Sequence, residues 1–223
     1  MSWNDCLFWY AQERGGTYFG LRDGTEDGTL LLEDPKGPIL LSAQYRSQSQ
    51  YEVFWNISAA AVVPLERPYS LRIKAQSSLR EGVNTVLEGL DRGARMLGRK
   101  SGLYRDYGAP EVADDRSIKT DEPEFTRWVL QSRELKVLLA DHPDFEVQVG
   151  PMGPEGLDHL VSALVSLNDL PAVERDWLED ARWADLKTRY QQSGFREQLD
   201  ALVELAKAAR DAVTAWPMPM KPL

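Results

Sequence analysis

The chain has 223 residues, and its 26 basic and 35 acidic side chains give it a net charge of −9 at pH 7. Charge of this sign repels phosphate, so it disfavours nucleic acid and anionic lipid as partners. Hydrophobic residues form 43% of the chain, which suffices for a core in one large domain or two small ones. The longest apolar run, at 59–65, is far shorter than the ~20 residues of a membrane span, so no membrane contact is predicted.

Cysteine usage and the first residues indicate the compartment. Cys6 is the sole cysteine, which excludes an internal disulfide. The opening residues MSWNDC include an acid and lack the basic start of a secretory signal. We therefore expect a cytoplasmic protein. No Lys, Arg or His stands beside Cys6 to lower the pKa of its thiol, so an inert, half-buried thiol is predicted.

The residues up to position 75 predict an antiparallel β-meander. Apolar and polar side chains alternate, as in strands with one buried and one wet face, at 38–45, 51–57 and 69–75. Shorter aromatic or aliphatic runs bounded by turn residues predict further strands at 7–12, 17–21 and 29–33.

A helix is predicted next, because the spacing of apolar residues changes after the last of these strands. Leu79, Val83, Leu87 and Leu90 share one helical face, and the stretch from Ser78 matches a capping box. The pattern predicts a helix over 78–97 that closes the meander.

Three arginines form a basic stripe on this predicted helix. Arg92, Arg95 and Arg99 lie three and four residues apart. Guanidinium groups in this arrangement bind phosphate or carboxylate. Cations are also favoured near a helix C-terminus, and a solvated helix face carries charge in any case. Both explanations of the stripe therefore stay open.

Residues 108–124 combine eight charges with two prolines, and they predict an irregular loop or a linker. On this basis residues 1–107 form an antiparallel β-rich lobe with the helix at 78–97, and residues 125–223 form a mixed α/β lobe. The alternative is a single compact domain.

The second part of the chain predicts a mixture of elements. Strands are expected at 125–131 and 145–149, with a short helix between them at 133–140. Residues 157–167 fit either a helix or a buried strand. An amphipathic helix that begins near Phe195 is expected to end the fold.

A possible internal repeat links the two parts. YSLRIKA followed by SSLREGV, and FTRWVLQ followed by SRELKVL, both read as a strand leading into a helix. This similarity motivates the hypothesis of two related halves.

The segment from Asp23 to Asp34 places oxygen-bearing side chains at four of the positions that an EF-hand calcium loop uses, with glycine at the sixth. Leu31, at the ninth position, offers no side-chain oxygen. A strand instead of a helix is predicted before the segment, at 17–21, and another occupies its second half, at 29–33. The segment also contains two Asp-Gly pairs, which are typical of β-turns. We therefore predict a hairpin connection and assign no metal site.

The two histidines, His142 and His159, are weak site candidates because neither has a second histidine at helical spacing. Asp141, His142 and Asp144 carry the chemistry of metal ligands or of a general base, but the same residues with Pro143 also form a turn. His159 lies beside an apolar stretch, where a partly buried polar side chain is expected.

Linear enzyme motifs are missing: the chain contains no nucleophile elbow, phosphate loop, dinucleotide fingerprint or C-x-x-C pair. We therefore assign no catalytic, cofactor-binding or metal-binding residue and expect no cofactor. The 7 tryptophans and 8 tyrosines suit a core or an interface.

The sequence thus predicts an α+β fold: an antiparallel meander closed by a helix, a smaller mixed portion and a C-terminal amphipathic helix. The leading functional hypothesis is a non-enzymatic cytoplasmic protein that contacts a protein partner or a second copy of itself. One alternative is a small-ligand binder with an apolar pocket between sheet and helix. The other is an enzyme without a linear motif, which uses residues such as His142 and Asp144.

Overall fold

The computed structural model describes residues 3–20, 28–47, 53–75, 107–168, 179–192 and 194–218, and its fold is α+β. The strands are β1 (Thr17–Phe19), β2 (Gly28–Leu32), β3 (Ile39–Ser47), β4 (Val53–Pro64), β5 (Leu71–Ala75), β6 (Arg116–Thr120), β7 (Glu146–Met152) and β8 (Asp158–Asn168). The helices are α1 (Trp3–Arg14), α2 (Pro110–Ala113), α3 (Pro123–Val129), α4 (Arg133–Asp141), α5 (Glu179–Gln192) and α6 (Phe195–Thr214).

The strands form one antiparallel sheet in the order β1-β2-β3-β4-β8-β7-β5-β6. Strands β1 to β4 follow one another as the predicted meander, and the long strand β8 then pairs with β4 along nearly its whole length. The sheet therefore joins strands from both predicted lobes. The division of the chain into domains stays a prediction.

The core lies between one face of this sheet and the helices. Side chains alternate along β4, so that Trp55, Ile57, Ala59, Ala61 and Val63 are all buried on the helical side. Helix α6 packs against β4 and β8, and α1 packs against β2 and β3. The other face of the sheet, called the open face below, has none of the described helices packed on it.

The C-terminal helix confirms its predicted amphipathic pattern. Leu199, Leu202, Val203, Ala206 and Val213 are buried, and they recur at the spacing of one helical face. Gly194 precedes the helix with φ of 73°, a left-handed conformation that glycine adopts without strain. The fold class, the meander and this helix thus agree with the prediction.

The strand predicted at 7–12 is wrong, because these residues belong to helix α1. The buried residues Trp3, Cys6, Leu7, Tyr10 and Ala11 follow the three-and-four spacing of a helix. The adjacent aromatics Phe8 and Trp9 suggested a strand through their β-propensity. Tertiary packing on β2 and β3 overrides that preference.

The strand predicted at 125–131 is also wrong, because most of it lies in helix α3. Pro123 stands in the first turn, where proline's fixed φ suits a helix start. Phe125, Thr126 and Val129 form its buried side. FTRWVLQ is therefore no strand, and the hypothesis of a repeated strand-to-helix unit is wrong.

The structure assigns regular elements to two further segments that the sequence predicted to be irregular or left undecided. Residues 108–124 were predicted to be irregular, but they contain α2 and the strand β6. Arg116, Ile118 and Thr120 are the less exposed residues of β6, and the charged residues around them hide this alternation in the sequence. Residues 157–167 form strand β8 instead of a helix, because their side chains pair with β4 on one side and β7 on the other. The predicted helix at 78–97 lies outside the described residues.

Candidate functional site

The open face of the sheet presents side chains that alternate with the core positions. On β3, β4 and β8 these are mainly Ser, Asn, Gln, Ala and aliphatic residues. Hydroxyl and amide groups pair across strands: Ser42 Oγ lies 2.8 Å from Ser58 Oγ, and Ser166 Oγ donates to Asn56 Oδ1 at 2.9 Å. Apart from Arg46 on β3 and Asp158 at the start of β8, the residues at the open-face positions of these three strands are thus uncharged.

A group of aliphatic side chains interrupts these polar residues. Leu40, Val62 and Leu160 are exposed by 41%, 56% and 37%, and Ala60 lies among them. Val62 is directly opposite Leu160, and Leu40 is directly opposite Ala60, so the four residues adjoin across β3, β4 and β8. We call these four residues the aliphatic patch.

A large recess occupies the middle of the open face. Its volume is about 1120 Å³, and its floor includes Ser58, Ser162 and Leu164. The turn at 141–145 borders it. We call it the central recess. Its volume slightly exceeds the ~300–1,000 Å³ typical of ligand sites, and it opens broadly to solvent.

A smaller recess of about 570 Å³ lies toward the β6 edge. Arg72 and Lys119 line it together with Leu160, Met152 and the backbone of Gly150. We call it the Gly150 recess. Arg72 and Leu160 also line the central recess, so the two recesses are continuous across β5 and β8.

The structure places His142 at the border of the central recess, where it ends helix α4. Its ring stacks on Phe145, with ring centres 4.8 Å apart and planes 15° apart. Its carbonyl oxygen accepts hydrogen bonds from Phe145 N–H and from the Arg116 guanidinium. Asp141 and Asp144 line the same recess, and their side chains are exposed. These contacts hold the residues in a turn, which is the alternative that the sequence offered for this segment.

The same turn was also a candidate metal site in the sequence. Over the described residues, no group of three or more His, Cys, Asp or Glu side chains is arranged to hold a metal ion.

His159 is fully buried, whereas the sequence predicted partial burial. Its Nε2 atom accepts a hydrogen bond from Tyr69 N–H at 2.9 Å, and its Nδ1 atom lies 2.9 Å from Leu157 O. Nδ1 therefore carries the proton in a neutral imidazole with both nitrogens paired. His159 ties the start of β8 to the chain before β5, so its role is structural.

Cys6 is fully buried within α1, and burial raises the pKa of its thiol well above the ordinary range. A thiol with raised pKa is a poor nucleophile, which agrees with the inert residue that was predicted. It was predicted half-buried and lies deeper than that.

Part of the calcium-like segment lies in the described residues. Strand β1 precedes the segment and β2 forms part of its second half, and the two strands pair antiparallel, as a hairpin requires, although residues 21–27 lie outside the described ranges. Asp34, at the twelfth position of the pattern, accepts a hydrogen bond from Arg210 Nη1 at 2.8 Å and one from Lys36 N–H at 3.1 Å. Its carboxylate is thus already engaged with cations and a backbone donor.

We expect this segment to bind no calcium, so adding the ion at millimolar concentration should leave the melting temperature unchanged. A ligand that binds only the folded state would raise the melting temperature. Differential scanning calorimetry with and without the ion tests this, with magnesium as the control. A rise of several degrees that is specific to calcium would contradict the hairpin interpretation.

The arginine stripe of Arg92, Arg95 and Arg99 lies outside the described residues. The structure instead brings together two other cations, Arg72 and Lys119, that the sequence did not single out. Arg72 was predicted to lie on the wet face of its strand, which is correct. Lys119 was missed because β6 was not recognised as a strand.

Comparison with known proteins adds no further assignment: no family description, curated protein or solved structure is significantly similar to this chain. Within the described ranges, no helix has both the length and the apolar character that crossing a membrane requires.

Proposed function

We propose that the protein is a non-enzymatic cytoplasmic protein that acts through contacts between the open face of its sheet and another protein. The aliphatic patch carries this proposal. Sheets usually bury each apolar face against a second layer, and contiguous exposed apolar groups mark interaction sites.

The patch differs from three exposed apolar residues on the helical side, Trp128, Val137 and Trp216. Trp128 and Trp216 are exposed on the helical side, where their rings lie 6.1 Å apart and shield each other. Val137 is 48% exposed on helix α4. Leu40, Val62 and Leu160 instead adjoin on neighbouring strands and lie beside polar groups that form hydrogen bonds, which is the composition of an interface core with a polar rim.

The two alternative functions stay predictions. A small ligand would use the central recess, whose lining comes mainly from the open face of the sheet, whereas the ligand-binding hypothesis placed its pocket between sheet and helix. An enzyme would need groups beyond His142 and its neighbouring carboxylates. The patch favours a protein partner because a small ligand would leave most of its aliphatic surface uncovered.

Photo-crosslinking tests the proposal. A photoreactive amino acid at position 62 is expected to give a discrete adduct in cells that express the protein, whereas the same amino acid at position 137 should not. Val137 is a matched control because it is also a valine, with a similar exposed fraction on the opposite side. Leu160→Asp should abolish the adduct at position 62, because a charge in an apolar interface is left unpaired.

The mass of the adduct identifies the partner, and a doubled mass would mean a second copy of this chain. Unchanged melting temperature of Leu160→Asp shows that the variant is folded. The proposal is overturned if position 62 gives no adduct and light scattering after size exclusion finds only a monomer.

A further inference from the structure

Two cations lie side by side on the open face. Arg72 on β5 is directly opposite Lys119 on β6, and both side chains are exposed. Like charges in directly opposed positions destabilise an antiparallel pair. The repulsion between Arg72 and Lys119 therefore lowers the stability of the folded protein unless another interaction offsets it.

Neither cation has a carboxylate within the 4.0 Å of an ion pair in the described chain. The next cation along β5, Lys74, does pair, with Glu146 at 3.9 Å. Asp121 also lines the Gly150 recess, where its Oδ1 accepts the Ser70 N–H at 2.8 Å, and among the described residues it forms no ion pair with either cation. In a chain of net charge −9, Arg72 and Lys119 are thus neighbouring cations that form no ion pair with any of the described residues.

Gly150 gives the recess its depth. Its neighbours on β7, Val147 and Val149, point into the core, so position 150 faces the open side with no side chain. A Cβ atom placed there would meet no atom within 4 Å. The recess is therefore open above Gly150, and a side chain at this position would extend into it.

The cations and the aliphatic patch share one continuous surface. Leu160 belongs to the patch and also lines the Gly150 recess. Strand β8 is two strands from β5, so Leu160 and Arg72 are separated by about 10 Å across the sheet. An extended peptide covers that distance in about three residues at ~3.3 Å each.

We propose that the Gly150 recess receives a carboxylate side chain from the partner protein, on a segment whose aliphatic side chain rests on the aliphatic patch. The inference depends on the proposed function, since it names the chemistry of the same partner. The Arg72 guanidinium binds a carboxylate through paired N–H donors, and Lys119 adds a second charge. A singly charged carboxylate fits better than a dianionic phosphate beside Asp121 in an acidic protein.

Capped synthetic peptides supply the probe. Each carries a leucine and a glutamate separated by one to seven residues of an otherwise Ser/Thr chain, and a matched set carries glutamine in place of glutamate. Fluorescence anisotropy measures their binding to the full chain. The best glutamate peptide should bind about tenfold more tightly than its glutamine match, and the difference should shrink at about 500 mM salt, where charges are screened.

Three variants test whether the preference for glutamate arises at the Gly150 recess. Arg72→Glu with Lys119→Glu should remove the preference for glutamate, whereas Arg127→Glu with Arg133→Glu, the same charge change on exposed helical residues, should keep it. Gly150→Leu should weaken the glutamate peptide about tenfold while all positive charges stay in place. Circular dichroism verifies that each variant is folded.

The inference is overturned if no peptide binds, or if glutamate and glutamine peptides bind equally well to the unmodified protein. The adduct at position 62 judges the proposed function separately. If position 62 gives an adduct but the glutamate and glutamine peptides bind equally well, the proposed protein contact is supported and the proposed carboxylate is contradicted.

Discussion

Replacing Arg116 with methionine is expected to lower the free energy of unfolding by about 3 kcal/mol, because buried carbonyl groups lose their donors. The Arg116 side chain is buried, and its guanidinium donates hydrogen bonds to the carbonyl oxygens of Leu139, His142 and Phe145. These bonds join the end of α4 to the start of β7. Burial lowers the pKa of Arg116, and the nearby carboxylates of Asp115 and Asp144 oppose that shift.

Urea unfolding followed by circular dichroism measures this loss. Arg116→Lys should recover only part of it, because one ammonium group cannot reproduce the planar fork of a guanidinium. The control is Lys119→Met on the same strand, where an exposed substitution should change stability by less than about 0.5 kcal/mol. Equal stability of Arg116→Met and Lys119→Met would contradict the structural role of Arg116.

Replacing Arg210 with methionine should cost about 3 kcal/mol, because it leaves the mostly buried Asp34 carboxylate without its main cation. The two side chains are only 4% and 13% exposed, and Nη1 of Arg210 lies 2.8 Å from Oδ1 of Asp34. Burial alone would raise the pKa of Asp34, but the Lys36 N–H and the Arg210 guanidinium outweigh it and hold the pKa below its ordinary value.

The lowered pKa of Asp34 also sets the direction of a pH effect. A carboxylate with a depressed folded-state pKa stabilises the protein above its unfolded pKa of about 4, and this contribution is lost as pH falls through the folded-state pKa. The stability advantage over Asp34→Asn should therefore be constant above about pH 5 and shrink below about pH 4. Urea unfolding at several pH values measures it, and parallel pH profiles for the two proteins would contradict the ion pair.

The fold could be predicted wherever local patterns and tertiary packing agree. Alternation gave the strands of the meander, and the spacing from Leu199 to Val213 gave the last helix. The pattern of helix α1 was also present in the sequence, at positions 3, 6, 7, 10 and 11, but Cys6 and Ala11 count weakly as apolar residues. Proline at position 123 likewise marked the start of α3.

The candidate site could not be predicted because it depends on pairings between distant segments. The aliphatic patch requires β4 to lie beside β8, and the opposed cations require β6 to join β5. Each of these residues looks like an ordinary solvent-facing strand position in its own segment. Only the sheet order brings Val62 next to Leu160 and Arg72 next to Lys119.

The central pairing of β4 with β8 has a consequence for synthesis of the chain. Its partners are roughly a hundred residues apart, and such distant contacts form slowly because a long loop must close first. Strands β1 to β4 can assemble from nearby residues as soon as they leave the ribosome. Until residue 168 follows, β4 is an edge with unpaired backbone groups, which is the kind of edge that recruits other strands. We therefore expect the nascent chain to be most prone to aggregation between synthesis of β4 and synthesis of β8.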